Sequence, residues 1–145
     1  MHKCKSLAAL FLTVTMILVF AVPVFAAENR ASEYIETYKV NIDKSENTVN
    51  LRVYISAPFG ASPQKIGVQT IVIQESTNGY SGWRTMDTLT SSANPTFMSS
   101  GTRYNETLDV YNGTSGMWYR CIVTIYAGGT YSGDSRTETT SAVQI

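Results

Sequence analysis

The chain has 145 residues and no formal net charge, with 11 Lys and Arg set against 11 Asp and Glu. That length amounts to a single domain. The even charge balance, without a basic patch, excludes nucleic acid as a partner and an electrostatic grip on anionic membranes.

The first five residues carry Lys3 and Lys5, and Leu7 to Phe20 is apolar apart from Thr13 and Thr15. Pro23 follows, and Val24-Phe25-Ala26 places small residues where a signal peptidase cuts. This order of charge, apolar run and cleavage site predicts a secretory signal peptide over residues 1–26, with export after cleavage at Ala26. The apolar run is about 14 residues, short of the roughly 18 to 20 that span a bilayer, so no membrane attachment is expected after cleavage. Cys4 precedes the run and is not placed as a lipoprotein cysteine.

Residues 27–145 remain as the expected single folded domain. The signal removes two lysines, leaving nine basic against eleven acidic residues and a net charge of −2. It also removes His2 and Cys4, so the mature part has no histidine and only Cys121. No intramolecular disulfide is then available, even in an oxidising space.

Tyr38, Val40 and Ile42 alternate with Lys39 and Asn41 in the period-two pattern of a half-buried strand. After a polar turn at 43–47, Val49, Leu51, Val53 and Ile55 share one face of the clearest strand in the chain. Pro58, Gly60 and Pro63 mark 57–64 as a loop. Residues 66–74 form a third strand of confused phase, since Val68 and Val72 oppose Ile71 and Ile73. Either both faces are covered or a bulge resets the register near Thr70.

Ser76-Thr77-Asn78-Gly79 supplies a hairpin turn, with the return strand over 83–89. Residues 90–101, with Pro95, read as a crossing loop. A strand over 103–111 groups Tyr104, Leu108 and Val110, and another over 118–127 points Tyr119, Cys121, Val123 and Ile125 inward. Residues 128–133 form a loop, and 137–145 closes the domain with Val143 and Ile145 aligned. About seven strands with turn signals every eight to twelve residues predict an all-β Greek-key sandwich of immunoglobulin-like or fibronectin-III-like type.

The segment Gly116-Met117-Trp118-Tyr119-Arg120-Cys121 resembles the start of strand F in immunoglobulin-type domains. There a tyrosine two residues before a core position ties down the corner through its hydroxyl. Tyr119 and Cys121 match that pair, but the second strand offers Leu51 or Val53 where a partner cysteine would stand. The chain also resembles a domain-of-unknown-function family of short secreted proteins from clostridia and related Firmicutes. The resembling segments are Arg30-Ala31-Ser32-x-Tyr34, Ile66-Gly67 leading to Ile71-Val72-Ile73-Gln74, Trp83, and Gly116 to Arg120. The resemblance implies secretion and a sandwich fold, and brings no activity and no site residues.

Without histidine in the mature part, the commonest general base and the Ser-His-Asp or Cys-His arrangements are missing. The acids are scattered through turns and outward strand positions, so a carboxylate-only glycosidase ranks last. One thiol is not a zinc set, no Asp-x-Asp loop suggests calcium, and no cofactor is expected. Cys121, pointing inward, reads as a buried structural thiol. Asn105 and Asn112 each begin an Asn-x-Thr triplet, a glycosylation acceptor only in a eukaryotic secretory route.

Aromatics in glycine- and serine-rich turns remain as candidate ligand contacts. Tyr80, Trp83 and Trp118 are expected at one end of the sandwich, Phe59 and Tyr131 at the other. The bland alternative has Trp83 and Trp118 capping the core. The leading expectation is a secreted, non-catalytic module that binds a protein or glycan through these loop ends. A structural cell-surface-associated subunit, joined through a free terminal strand, is the alternative.

Overall fold

Alternation becomes strand wherever one face of the chain can be buried. A computed structural model of the protein describes residues 32–145; the expected signal peptide, residues 1–26, lies outside the described residues. Seven longer strands emerge: β1 (Thr37–Ser45), β2 (Thr48–Ser56), β3 (Lys65–Ser76), β4 (Arg84–Thr90), β6 (Arg103–Asn112), β7 (Trp118–Gly128) and β8 (Gly133–Thr139). Two short ones, β5 (Met98–Ser99) and β9 (Val143–Gln144), complete the set. One sheet has the order β1-β2-β6, and the other β4-β3-β7-β8, with β5 added to β3 and β9 to β7. Every pairing is antiparallel.

The inner faces of the two sheets meet in one core. From β2, Val49, Leu51, Val53 and Ile55 are completely buried, and from β7, Tyr119, Cys121, Val123 and Ile125 are too, to within 1%. Each large apolar side chain removed from water in this way stabilises the fold by about 1.5–3 kcal/mol. The alternation read from both segments therefore matches the faces that the tertiary structure buries.

A bulge resolves the confused phase of β3. Val68 pairs with Ile125 and Thr70 with Thr124, leaving Gln69 as the extra residue. Ile66 and Val68 before it, and Ile71 and Ile73 after it, consequently all face the core at 0% exposure. Val72 lies on the outer face, half-buried. A second bulge, in the pairing of β2 with β6, leaves Val110 between the partners of Val49 and Asn50.

Two expected segments differ from the structure. The crossing segment after β4 is not a plain loop: a 3-10 turn at Pro95–Phe97 and strand β5 lie within it, and Phe97 is buried. Phe97 is an apolar anchor in a polar stretch, too isolated to show a period. The closing stretch is two strands rather than one. At Thr140 the side chain replaces the ladder: its Oγ1 accepts from Cys121 N–H at 2.9 Å, while its own N–H donates to Cys121 O at 2.9 Å. The chain then resumes pairing at β9, opposite Trp118 and Tyr119.

The start of the described chain is tied to the β7–β8 end. Asp134 Oδ2 accepts from Ser32 Oγ at 2.7 Å and from Tyr34 N–H at 2.8 Å, and Ile35 packs into the core. Burial works to raise the Asp134 pKa, but these hydrogen bonds and the nearby Arg136 hold it below the ordinary carboxylate value.

Candidate functional site

The β3–β4 hairpin is organised by its own polar side chains. Ser76 Oγ donates to Ser81 O at 2.6 Å and accepts from the N–H groups of Asn78 and Gly79, both at 3.2 Å. Asn78 Oδ1 in turn accepts from the N–H groups of Tyr80 and Ser81, both at 2.9 Å. This is the local bonding by which Asn and Ser favour turns over strands. The backbone at residues 76–81 is held, while the Tyr80 side chain at its tip stays 90% exposed.

Trp83 and Trp118 flank the same end, and neither belongs to the core cluster. They therefore do not cap the core. Gly79 has φ +75°, and a Cβ there would fall 2.8 Å from Trp118 Cδ2, so the indole lies against bare backbone. The Arg120 guanidinium stands 4.3 Å from the centre of the Trp83 ring, in cation–π range. Arg120 Nε also donates to Gln74 Oε1 at 2.9 Å, which fixes the head group above the sheet. Both tryptophans are half-buried, and each has one face covered by a neighbour.

Phe59 and Tyr131 are fully exposed. They fall at the opposite end, as expected: Ser76 pairs with Trp118 at one end of β3, and Lys65 with Gly128 at the other. The structure brings Tyr80, Trp83 and Trp118 to one end of the domain, with Arg120 as a fourth member. Arg120 was legible only as the outward residue between Tyr119 and Cys121, without a sign of what it would cover.

Beneath this end sits a buried polar cluster. Tyr119 is completely buried; its hydroxyl accepts from Thr114 N–H at 2.8 Å and donates to Glu75 Oε2 at 2.6 Å. Burial raises the pKa of the Tyr119 hydroxyl, and its bond to Glu75 raises it further. Glu75 is only 6% exposed and takes a second hydrogen bond, at 3.0 Å, from Arg84 Nη2. This corrects the expectation that every acid faces outward. The alternation of Ile71 and Ile73 already pointed residue 75 inward, but a carboxylate there needs Tyr119 and Arg84 as partners. The hairpin, the two tryptophans and Arg120 together make an aromatic, partly cationic surface over this buried cluster.

Cys121 is buried and unpaired with any other cysteine among the described residues. Burial pushes its thiol up to about 12. A thiol that stays protonated does not attack disulfides or alkylating reagents. Folded residues 27–145 are expected to resist an aromatic disulfide reagent at pH 8, and to react with one equivalent once unfolded in urea. Rapid labelling of the folded form would refute this. Raising a thiol's pKa on folding adds stability that is complete below its unfolded value near 8.5. That stability is lost as pH climbs from there towards 12, so Cys121→Val is expected to flatten the fall in stability between about pH 8.5 and 10.

No family model matches the chain, and neither a curated protein nor a solved structure matches it.

Proposed function

We propose that the protein is a secreted, non-catalytic interaction module of immunoglobulin-like or fibronectin-III-like type, which recognises a partner protein or glycan through its β3–β4 end. Support for the fold type comes from the chain's exchanges between sheets, from β2 to β3, from β5 to β6 and from β6 to β7. The bond from Thr114 N–H to the Tyr119 hydroxyl five residues later supports a tyrosine corner. Export rests on the charge and hydropathy order of residues 1–26, and the resemblance to short secreted Firmicutes proteins agrees with it.

The observation that carries the binding reading is Tyr80, an almost fully exposed ring on a turn whose backbone is fixed by Ser76 and Asn78. A fixed aromatic costs little conformational entropy when it is covered, which is why tyrosine dominates adaptable recognition loops. The ring stands at a convex tip, a shape that enters a pocket on a partner, and this favours a protein over a glycan at this end.

The test is affinity capture from the producing cells with the exported protein, whose N-terminus is expected to be Ala27. A partner retained by the native protein and by Tyr80→Phe is expected to be lost at least tenfold with Tyr80→Ala. The melting temperature should be unchanged, because the ring buries almost nothing in the domain. Equal retention by all three forms would refute the reading.

One observation favours the structural alternative. β8 pairs only with β7 among the described residues, and six of its seven residues are exposed. Such an edge can accept another strand. A protein that stays monomeric at all concentrations in size-exclusion chromatography counts against it.

A further inference from the structure

A cleft of about 900 Å³ opens at the end of the second sheet farthest from Tyr80, in the range of roughly 300–1,000 Å³ usual for small-molecule sites. Its wall combines Gln64, Gln69, Thr130 and serines of the 91–100 segment with the ring of Tyr126. Among the described residues, Lys65 is the only charged one in that wall, and no carboxylate belongs to it.

Three features make this a built surface. Gln69, the extra residue of the β3 bulge, lines the cleft, and its carbonyl accepts from Ser91 N–H at 3.0 Å. Bulges are common beside functional sites. Gln64 is fixed at both levels: its N–H donates to Gly128 O at 2.9 Å, and its Oε1 accepts from Thr130 Oγ1 at 2.7 Å. That leaves the amide's own N–H donors available. Tyr126 lies across a glycine pair, since Gly128 and Gly133 are register partners and a Cβ on Gly133 would fall 2.6 Å from the Tyr126 ring. The missing side chains of the two glycines leave the space that the ring occupies.

We infer that this cleft is a binding site for an uncharged stretch of pyranose glycan, one sugar ring lying on Tyr126 and its hydroxyls bonded by Gln64, Gln69 and Thr130. The chemistry matches piece by piece. A pyranose presents C–H bonds on its faces, which suit the electron-rich face of an aromatic ring. Its edge hydroxyls both donate and accept, as do amides and side-chain hydroxyls, whereas a wall of charges would favour ionic ligands. The site is separate from the Tyr80 end and goes beyond the recognition proposed for it.

The test is a printed glycan array followed by NMR titration of the exported protein with cellohexaose, chitohexaose and a galacturonate hexamer. Binding of a neutral glycan is expected to shift the amide signals of Gln69, Gly129 and Thr130. Gln64→Ala and Gln69→Ala should each weaken it at least fivefold. Both side chains are exposed, so these variants are expected to fold normally, and unchanged amide spectra elsewhere check that. The amide signals of residues 78–81 should stay unshifted on glycan addition, which separates failure of this site from failure of the hairpin reading. The inference is overturned if no glycan binds, if either glutamine variant binds like the native protein, or if only the galacturonate binds and Lys65→Gln abolishes it.

Discussion

Replacing Tyr119 with phenylalanine is expected to destabilise the domain by about 2–4 kcal/mol, because one lost hydroxyl leaves two partners unpaired. The hydroxyl donates to Glu75 Oε2 in a buried bond and accepts from Thr114 N–H in a part-buried one. Phenylalanine fills the same volume, so the cost is polar and not a cavity. Most of it falls on Glu75, whose second oxygen would stay desolvated with only the Arg84 bond remaining on the first. Urea unfolding followed by tryptophan fluorescence measures the effect as a lower midpoint.

The same substitution at Tyr104 supplies an internal control of opposite sense. Tyr104 is also buried, but its hydroxyl has no hydrogen-bond partner among the described residues. Burial, and next the charge of Glu106, push its pKa up to about 12. Tyr104→Phe removes an unsatisfied polar atom and is expected to leave stability unchanged or to raise it by up to about 1 kcal/mol. Equal losses for the two variants would show that the ring environments, and not the hydroxyl partners, control both sites.

Gly67→Ala is the second large effect, with an expected cost of about 3 kcal/mol or more. Gly67 has φ +153° and pairs with Met98, where β5 runs antiparallel to β3. A methyl group there would run into the carbonyl oxygen of Phe97, which is backbone and cannot swing aside. Relief requires the 3-10 turn and β5 to lift, and with them the buried Phe97. Gly60→Ala isolates the backbone contribution, because Gly60 has φ +86° and open space around its Cβ position. Its cost should stay near 1–2 kcal/mol. Urea midpoints compare the two, and hydrogen exchange at Met98 and Ser99 should quicken only in the Gly67 variant. Similar small losses for both would mean that β5 does not depend on close contact with β3.

Much of the fold was legible because half-burial imposes a two-residue period that survives in the chain. The period in 49–55 and 119–125 named eight core residues on two facing sheets before any pairing was known. It also marked Tyr119 as inward and as the residue two before the core thiol. The grouping of Tyr80 with Trp118, and of Phe59 with Tyr131, followed from strand number alone, since antiparallel strands return loops to alternate ends.

The candidate sites were less legible, because they depend on residues far apart in sequence. Glu75 read as one acid among many until Tyr119 and Arg84 were placed against it. From the sequence, Trp83 and Trp118 read more readily as core caps; Gly79 and Arg120 decided otherwise. The cleft joins Gln64, Gln69, the 91–100 segment, Tyr126 and Thr130, which share no motif.

By itself, then, the sequence determined the all-β class, the core faces of β2 and β7, and the absence of a second cysteine to pair with Cys121 in residues 27–145. Only the tertiary structure decided how the bulge at Gln69 turns β3, how Thr140 divides the closing strand, and which polar residues converge. The reason is one of range. Burial of alternate residues is a local property written into each strand, whereas a bulge, a buried carboxylate or a cleft is set by partners on other strands.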